Sequence, residues 1–178
     1  MNNASDELDH LRSRVAALEA ESAIRRLVAR YMAICDDLTP ETDLTELASL
    51  FASGAVWEGA GDKYRDTFGE HQGRDAIVAF LSSYCSPQAH FASNVHFLTS
   101  ESLQVDGDGA RGTWVMLQTP TFSNTESFVL AARLNLGFTF EQGAWRIVRF
   151  ATTNLFGRPI AGGWHSSAPI PTPGSTHE

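Results

Sequence analysis

Tyr31, Asp36 and Asp37 form a polar group at the end of a helical pattern, where proton transfer chemistry could be supported. Tyr31 lies on the apolar side of that pattern, and the two aspartates follow its last apolar residue. A carboxylate at such a point can become buried against the rest of the fold, where it needs a hydrogen-bonding partner. A second interpretation stays open, in which both aspartates are ordinary helix-terminal and turn residues.

His96 is the candidate base. It lies in a predicted strand, residues 92–99, and alternates there with Val95 and Phe97, so it faces the opposite side of the sheet. A histidine on a concave sheet face can act as a general base near neutral pH. The alternative is an ordinary core histidine. His90, in the approaching loop, is expected to be structural, and no His-x-His or His-Glu-x-x-His spacing indicates a metal site.

Arg149 is the third candidate. Strict alternation along the last strand places it on one face with Trp145 and Ile147, so we expect it to be partly enclosed. An enclosed arginine must meet an acid or an oxyanion. Arg133, in the preceding strand, is a second such residue, and for both the alternative is a structural ion pair.

Composition excludes several classes of function. The chain of 178 residues has 13 Lys and Arg against 21 Asp and Glu, a net charge of −8, which argues against nucleic-acid binding. No apolar run approaches the ~20 residues of a membrane span. The polar N-terminus lacks the pattern of a signal peptide, so a cytoplasmic protein is expected.

No Walker A or GxSxG motif occurs, and we expect no cofactor. The only cysteines, Cys35 and Cys85, form no CxxC pair and are expected to be buried.

The elements that would position these residues run from helices to strands. Helices are predicted over residues 6–35, with a break near Ser22, from Pro40 to Gly54 with Thr39 as N-cap, and over 73–84. Residues 59–72 are predicted as a loop, with a short strand near 64–68. Strands are predicted over residues 55–58, 92–99, 101–106, 110–120, 127–141 and 144–156. This order predicts an α+β fold with helices packed on one face of a curved antiparallel sheet.

An ordered set of motifs resembles a known family. The motifs are Ala23–Tyr31, Asp36, Leu47–Phe51, Ala55–Trp57, Gly73–Ile77, Val95–Leu98 and Gly143–Ile147. Together they resemble the SnoaL-like branch of the nuclear-transport-factor-2-like superfamily, whose fold is the cystatin-like α+β cone. The resemblance covers about residues 15–160. Residues 1–14 are then a helical extension, and residues 161–178 are a tail whose Pro, Gly and Ser content predicts flexibility.

Within that branch the chain is similar to cofactor-independent lyases, among them scytalone dehydratase, bile acid 7α-dehydratase and hexachlorocyclohexane dehydrochlorinase. The resemblance implies an Asp–His dyad formed by Asp36 and His96. It also assigns a polar pocket residue on the first helix to Tyr31 and an arginine in the final strand to Arg149. The second pocket histidine of scytalone dehydratase has no counterpart here. In that stretch, residues 111–121, the side chains are instead Trp114, Met116 and Gln118.

Taken together, these expectations predict that the protein is a lyase with an apolar pocket. Its predicted lining is Trp57, Phe68, Tyr84, Trp114, Met116 and Phe138. We expect elimination from a small aromatic, steroid-like or polyketide-derived substrate, without a metal. A non-catalytic ligand-binding module and a polyketide cyclase or isomerase are the alternatives. The resemblance also implies a homo-oligomer, a dimer or trimer formed through the sheet.

Overall fold

The structure, a computed structural model, describes residues 3–164 and the side chains of residues 5–164. The helices are α1 Asn3–Asp36, α2 Leu44–Ser49, α3 Gly61–Phe68 and α4 Arg74–Ser82. The strands are β1 Phe51–Ala60, β2 Glu70–Gln72, β3 Phe91–Ser93, β4 His96–Asp106, β5 Gly109–Gln118, β6 Thr121–Phe122, β7 Phe128–Glu141 and β8 Ala144–Pro159. Most of the tail expected to be flexible, from His165 onward, lies outside the described residues.

Six strands form one curved sheet in the order β2-β1-β8-β7-β5-β4, and β3 pairs with β6 in a separate two-stranded sheet. The helices pack on one face, so the predicted α+β cone is confirmed. The sheet is mixed rather than wholly antiparallel, because β1 pairs in parallel with β8. Hydrophobic alternation carries no information about which strands become neighbours, and it therefore could not show this parallel pair.

The second half of α1 covers the concave face of the sheet. Its fully buried side chains, Ile24 and Val28, pack in one core with Leu47, Phe51 and Ile147. The helix is continuous, so the break predicted near Ser22 is wrong. The Ser22 hydroxyl accepts a hydrogen bond from the Arg26 guanidinium instead of capping a second helix.

Asp43, and not Thr39, caps α2. Its Oδ1 accepts hydrogen bonds from the backbone N–H groups of Thr45 and Glu46 at 2.8 and 3.1 Å. Thr39 and Pro40 lie in the turn before the helix. Two capping sequences compete here, and the one adjacent to the buried apolar residues of α2 is used.

Residues 59–72, predicted as a loop, contain α3 and β2. Tyr64 and Phe68 are four residues apart, a spacing that places both on one side of a helix. Their rings pack together with centroids 4.9 Å apart, and the Phe68 ring meets Trp57 of β1 edge-on. Because α3 lies directly on β1, it forms a wall of the cone.

The strands of the long hairpins match the prediction, but the division within residues 92–106 does not. The prediction ends one strand at Thr99 and begins the next at Glu101, whereas β3 ends at Ser93 and β4 runs unbroken from His96 to Asp106. Ser100 has a φ of 51°, and the pairing register shifts between Thr99 and Ser102. A β-bulge thus accounts for the interruption in the pattern without ending the strand.

Gly59 permits the contact between α3 and β1. A Cβ at this position would lie 2.1 Å from the Tyr64 carbonyl oxygen, whereas one at Gly54 of the same strand would meet nothing within 4 Å. We therefore expect Gly59→Ala to lower the free energy of unfolding by about 1–3 kcal/mol, because the backbone must shift. Gly54→Ala, the matched control, should change it by less than ~0.5 kcal/mol. Urea denaturation measures both, and equal effects would contradict the close approach.

Candidate active site

Asp36 and His96 meet where α1 ends and β4 begins. A single oxygen of Asp36, Oδ1, accepts from the His96 backbone N–H at 2.9 Å and from His96 Nδ1 at 2.6 Å. The side chain of His96 is 10% exposed and that of Asp36 is 28% exposed. Because a carboxylate only accepts, this hydrogen bond favours the tautomer of the neutral imidazole that carries its proton on Nδ1 and leaves Nε2 as an acceptor. Asp37 is exposed, so the structure distinguishes the two aspartates.

A second contact holds the same two elements together. Asn94 is buried, and its Nδ2 donates to the Cys35 carbonyl oxygen at 3.1 Å. Carbonyl groups in the last turn of a helix have no partner within the helix. Asn94 supplies one from the segment that leads into β4, and so fixes the end of α1 beside His96.

Beside the dyad lies a cavity of about 130 Å³, lined by residues of α1, α3, α4 and the concave face of the sheet. Of the six predicted lining residues, Trp57, Phe68, Tyr84 and Met116 line it. Tyr31 and His96 also face it. The other lining residues are Met32, Cys35, Leu38, Tyr64, Phe80, Leu81, Phe91, Asn94, Gln118, Leu134, Phe150 and Thr152.

Trp114 and Phe138, the other two predicted lining residues, do not line the cavity. Both are buried in the core, with ring centroids 6.3 Å apart, and the Trp114 indole donates to Glu101 at 3.1 Å. Trp114 shares the inner face of β5 with Met116. It lies further along the strand, beyond the cavity, because alternation identifies the face of a residue and not its position along the cone.

Arg149 lies on the outer face of the sheet, contrary to the expected enclosure. Its side chain is 63% exposed and its guanidinium donates to Glu58. The register shows why: Phe138 pairs with Ile147, but Gly137 pairs with Arg149. One extra residue of β8 lies between these pairs, and such a bulge reverses the alternation. Arg133 is also exposed.

Gln118 is a polar group of the cavity to which the motifs assigned no function. It lies across from His96 in the β4–β5 pairing, and its Nε2 donates to Asn94 Oδ1 at 2.8 Å. Asn94 is in turn anchored on α1, so the Gln118 amide has a fixed orientation at the cavity wall. Alternation with Met116 was the sequence signal that could have indicated it.

The Tyr31 hydroxyl is available as a donor. It accepts a hydrogen bond from the Trp57 indole N–H at 3.0 Å, and the ring packs against Phe51 and Phe150. Burial raises the pKa of Tyr31 well above its ordinary value. The phenol therefore keeps its proton at neutral pH. Because the indole donates to its oxygen, that proton can be donated to the neighbouring Cys35 sulfur or to a ligand in the cavity.

The described residues contain neither a cluster of metal ligands nor a dinucleotide-binding loop. Among residues 3–164, no three His, Cys, Asp or Glu side chains come together as metal ligands. Gly107, Gly109 and Gly112 have GxGxxG spacing, but they lie in the β4–β5 hairpin and in β5, and a dinucleotide motif must join a strand to a helix. No helix in the described part of the chain is long and apolar enough to cross a membrane.

A cystatin-like cone, with helices packed over one face of a curved sheet, is the architecture of nuclear-transport-factor-2-like proteins. Residues 16–151 match the SnoaL-like domain, and the chain belongs to the SnoaL-like family. No curated protein matches the chain.

Solved structures share the fold at low sequence identity. A hexachlorocyclohexane dehydrochlorinase, LinA type 2, is 20% identical with a TM-score of 0.69, over 92% of this chain and 99% of that chain. A scytalone dehydratase-like protein from Novosphingobium aromaticivorans DSM 12444 is 20% identical with a TM-score of 0.66, over 90% and 97%. A protein from N. aromaticivorans, described as NTF2-like with a cystatin-like fold, is 24% identical with a TM-score of 0.65, over 83% and 90%.

The cavity thiol yields a test of the buried environment. Burial raises the pKa of Cys35 from an ordinary value near 9 to about 12. Above pH 9 the unfolded chain loses this proton while the folded protein keeps it, so stability must fall as pH rises from 9 towards 12. We expect the free energy of unfolding to fall more steeply between pH 9 and 11 in the wild type than in Cys35→Ala. Denaturation curves at each pH measure the slopes, and parallel slopes would contradict the assignment.

Proposed function

We propose that this protein is a lyase that catalyses an elimination by general base catalysis with His96. The observation that carries the proposal is the 2.6 Å hydrogen bond from His96 Nδ1 to Asp36 at the wall of an aromatic cavity. Within residues 5–164, His96 Nε2 has no hydrogen-bonding partner. A base oriented by a carboxylate, with a free nitrogen at a cavity, has the arrangement of other histidine-based sites.

In this proposal His96 Nε2 removes a proton from a substrate carbon. The electron pair of the C–H bond forms a double bond, and the neighbouring leaving group departs with its own bonding pair. Asp36 holds the imidazole in the required tautomer and stabilises the imidazolium that forms. These steps need only a base and hydrogen-bond donors, so the proposed reaction is cofactor-independent.

Two neutral donors are proposed to bind the leaving group or an adjacent oxygen. Tyr31 keeps its phenolic proton, and Gln118 presents an amide whose orientation is set by Asn94. Preorganised donors of this kind are worth more in a cavity that excludes water than in solution. Arg149 has no part in the proposed mechanism, because it lies on the outer face of the sheet.

The size and lining of the cavity favour a compact, ring-containing substrate. Its volume of about 130 Å³ is close to that of an apolar cavity of ~150 Å³ that holds benzene. Aromatic walls formed by Trp57, Phe68, Phe80 and Tyr84 suit a ring with few polar groups. An extended polyketide chain needs a longer site, and this favours the lyase over the cyclase. The dehydrochlorinase and dehydratase among the structural neighbours agree with an elimination.

The dyad is tested by substitution. We expect His96→Ala and Asp36→Asn each to lower kcat/KM by ~10²-fold or more, because general base catalysis is typically worth that much. Asp37→Asn is the matched control and should retain wild-type activity, since Asp37 is exposed. The assay follows alkene and leaving-group release from single-ring β-hydroxy carbonyl compounds, benzylic alcohols and chlorinated cyclohexanes, without added metal or cofactor.

Circular dichroism would establish that each variant is folded before its rate is interpreted. Full activity in both dyad variants would refute the mechanism. Tight binding of these compounds to a wild-type protein that turns none of them over would favour the ligand-binding module.

Gln118 is tested separately. Gln118→Leu removes the amide and keeps most of the volume, and we expect it to lower kcat/KM by about tenfold, since one hydrogen bond contributes about 0.5–1.5 kcal/mol. Gln104→Leu, at an exposed position of β4, is the matched control and should leave the rate unchanged. Equal rates in the two variants would remove Gln118 from the proposal.

A further inference from the structure

The first half of α1 projects from the domain without packing on it. Every described side chain from Ser5 to Ala16 is exposed, and burial begins in the following turns. The match to the SnoaL-like domain also begins at residue 16, so this segment precedes the shared fold. The exposed fractions of its large apolar side chains are 47% for Leu8, 47% for Leu11, 52% for Val15 and 61% for Leu18.

These four residues follow the spacing of a coiled-coil seam. Leu8 and Val15 are seven residues apart and take position a of a heptad, and Leu11 and Leu18 take position d. Such a seam forms one narrow apolar stripe along a helix. A helical segment of about a dozen residues is marginally stable alone in water, so an apolar stripe without a partner leaves it prone to fray.

Charges beside the seam are complementary between two copies. Positions g are Glu7 and Arg14, and positions e are Arg12 and Glu19. In a parallel pair each g residue lies near the e residue of the partner's next heptad. Glu7 then meets the partner's Arg12, and Arg14 meets the partner's Glu19, so every flanking contact joins opposite charges.

The same charges disfavour the antiparallel arrangement. Aligning Leu8 with the partner's Leu18 brings the two g positions together, which places Arg14 against its own counterpart and Glu7 near the partner's Glu21. Arg12 contacts Asp9 at 3.1 Å within the helix, but both side chains are about 70% exposed. An exposed pair of this kind is weak and does not hold Arg12 away from a partner.

We propose that residues 5–21 of two copies of this chain associate as a parallel, in-register, two-stranded coiled coil. Of the two a positions, Val15 is β-branched, and both d positions are leucine; a β-branched residue at a with leucine at d favours two strands over three or four. The seam lies at the opposite end of α1 from Asp36, so the association leaves the cavity free.

Disulfide trapping tests the register directly. In a parallel pair residue 11 faces its own counterpart, whereas in the antiparallel pair it faces residue 15. We therefore expect Leu11→Cys, in a Cys85→Ser background, to form a disulfide-linked dimer on mild oxidation. Ser13→Cys, on the outer side of the same helix, is the matched control and should cross-link at least tenfold more slowly, because a disulfide needs Cα atoms within about 7 Å. Equal rates, or no cross-linking at residue 11, would overturn the proposal.

Charge exchange provides a second, independent test. The double variant Glu7→Arg/Arg14→Glu and the double variant Arg12→Glu/Glu19→Arg each place like charges across the seam, so each should dissociate at concentrations where the wild type is paired. Mixed together, the two variants regain opposite charges at every flanking contact and should form heterodimers. Sedimentation velocity at low salt measures both states. A monomeric wild type, or no association in the mixture, would overturn the proposal and leave the stripe to a partner of different chemistry.

Discussion

The hydrogen bonds from His96 to Asp36 are the interaction on which the arrangement of this molecule depends. They join the last residue of α1 to the first residue of β4, 60 positions apart. Because one carboxylate oxygen receives both the backbone and the ring N–H, the same group holds the end of the helix and favours one tautomer of the imidazole. The Asn94 contact with the carbonyl of Cys35, the residue before Asp36, makes a second connection between the same two segments. Helix, strand and site therefore share one junction.

His96, Tyr31 and Gln118 are polar groups in a strongly apolar cavity. Each side chain is held by a hydrogen bond to the protein and presents a further group to the cavity. Polar side chains held in this way are already oriented in the low-dielectric interior, so little reorganisation is needed when a ligand enters. The hydrogen bonds that stabilise the fold are thus also the ones that prepare the proposed chemistry.

The residues of the candidate site differ in how far the sequence could locate them. Asp36 and His96 stand out because each is polar within an apolar pattern, but nothing in the spacing shows that they touch; the family resemblance supplied that pairing. Trp114 lies on the predicted inner face of the sheet, but further along β5 than the cavity, so its predicted role in lining the cavity is wrong. Arg149 was misplaced because a single bulged residue in β8 reverses an otherwise regular alternation. The alternation of polar and apolar residues along a strand does not show how far along the cone a residue lies, or where a bulge shifts the strand.

The sequence by itself determined the features that repeat along the chain: the apolar stripe of α1, the alternating strands, the hairpin turns and the α+β order. These depend on neighbours within a few residues, and such neighbours are visible in the sequence. Only the tertiary structure decided the parallel pairing of β1 with β8, the choice of Asp36 over Asp37, the enclosure of Gln118 and the exposure of Arg149. Each of these depends on contacts between residues far apart in the chain, which form only when the helices close over the sheet.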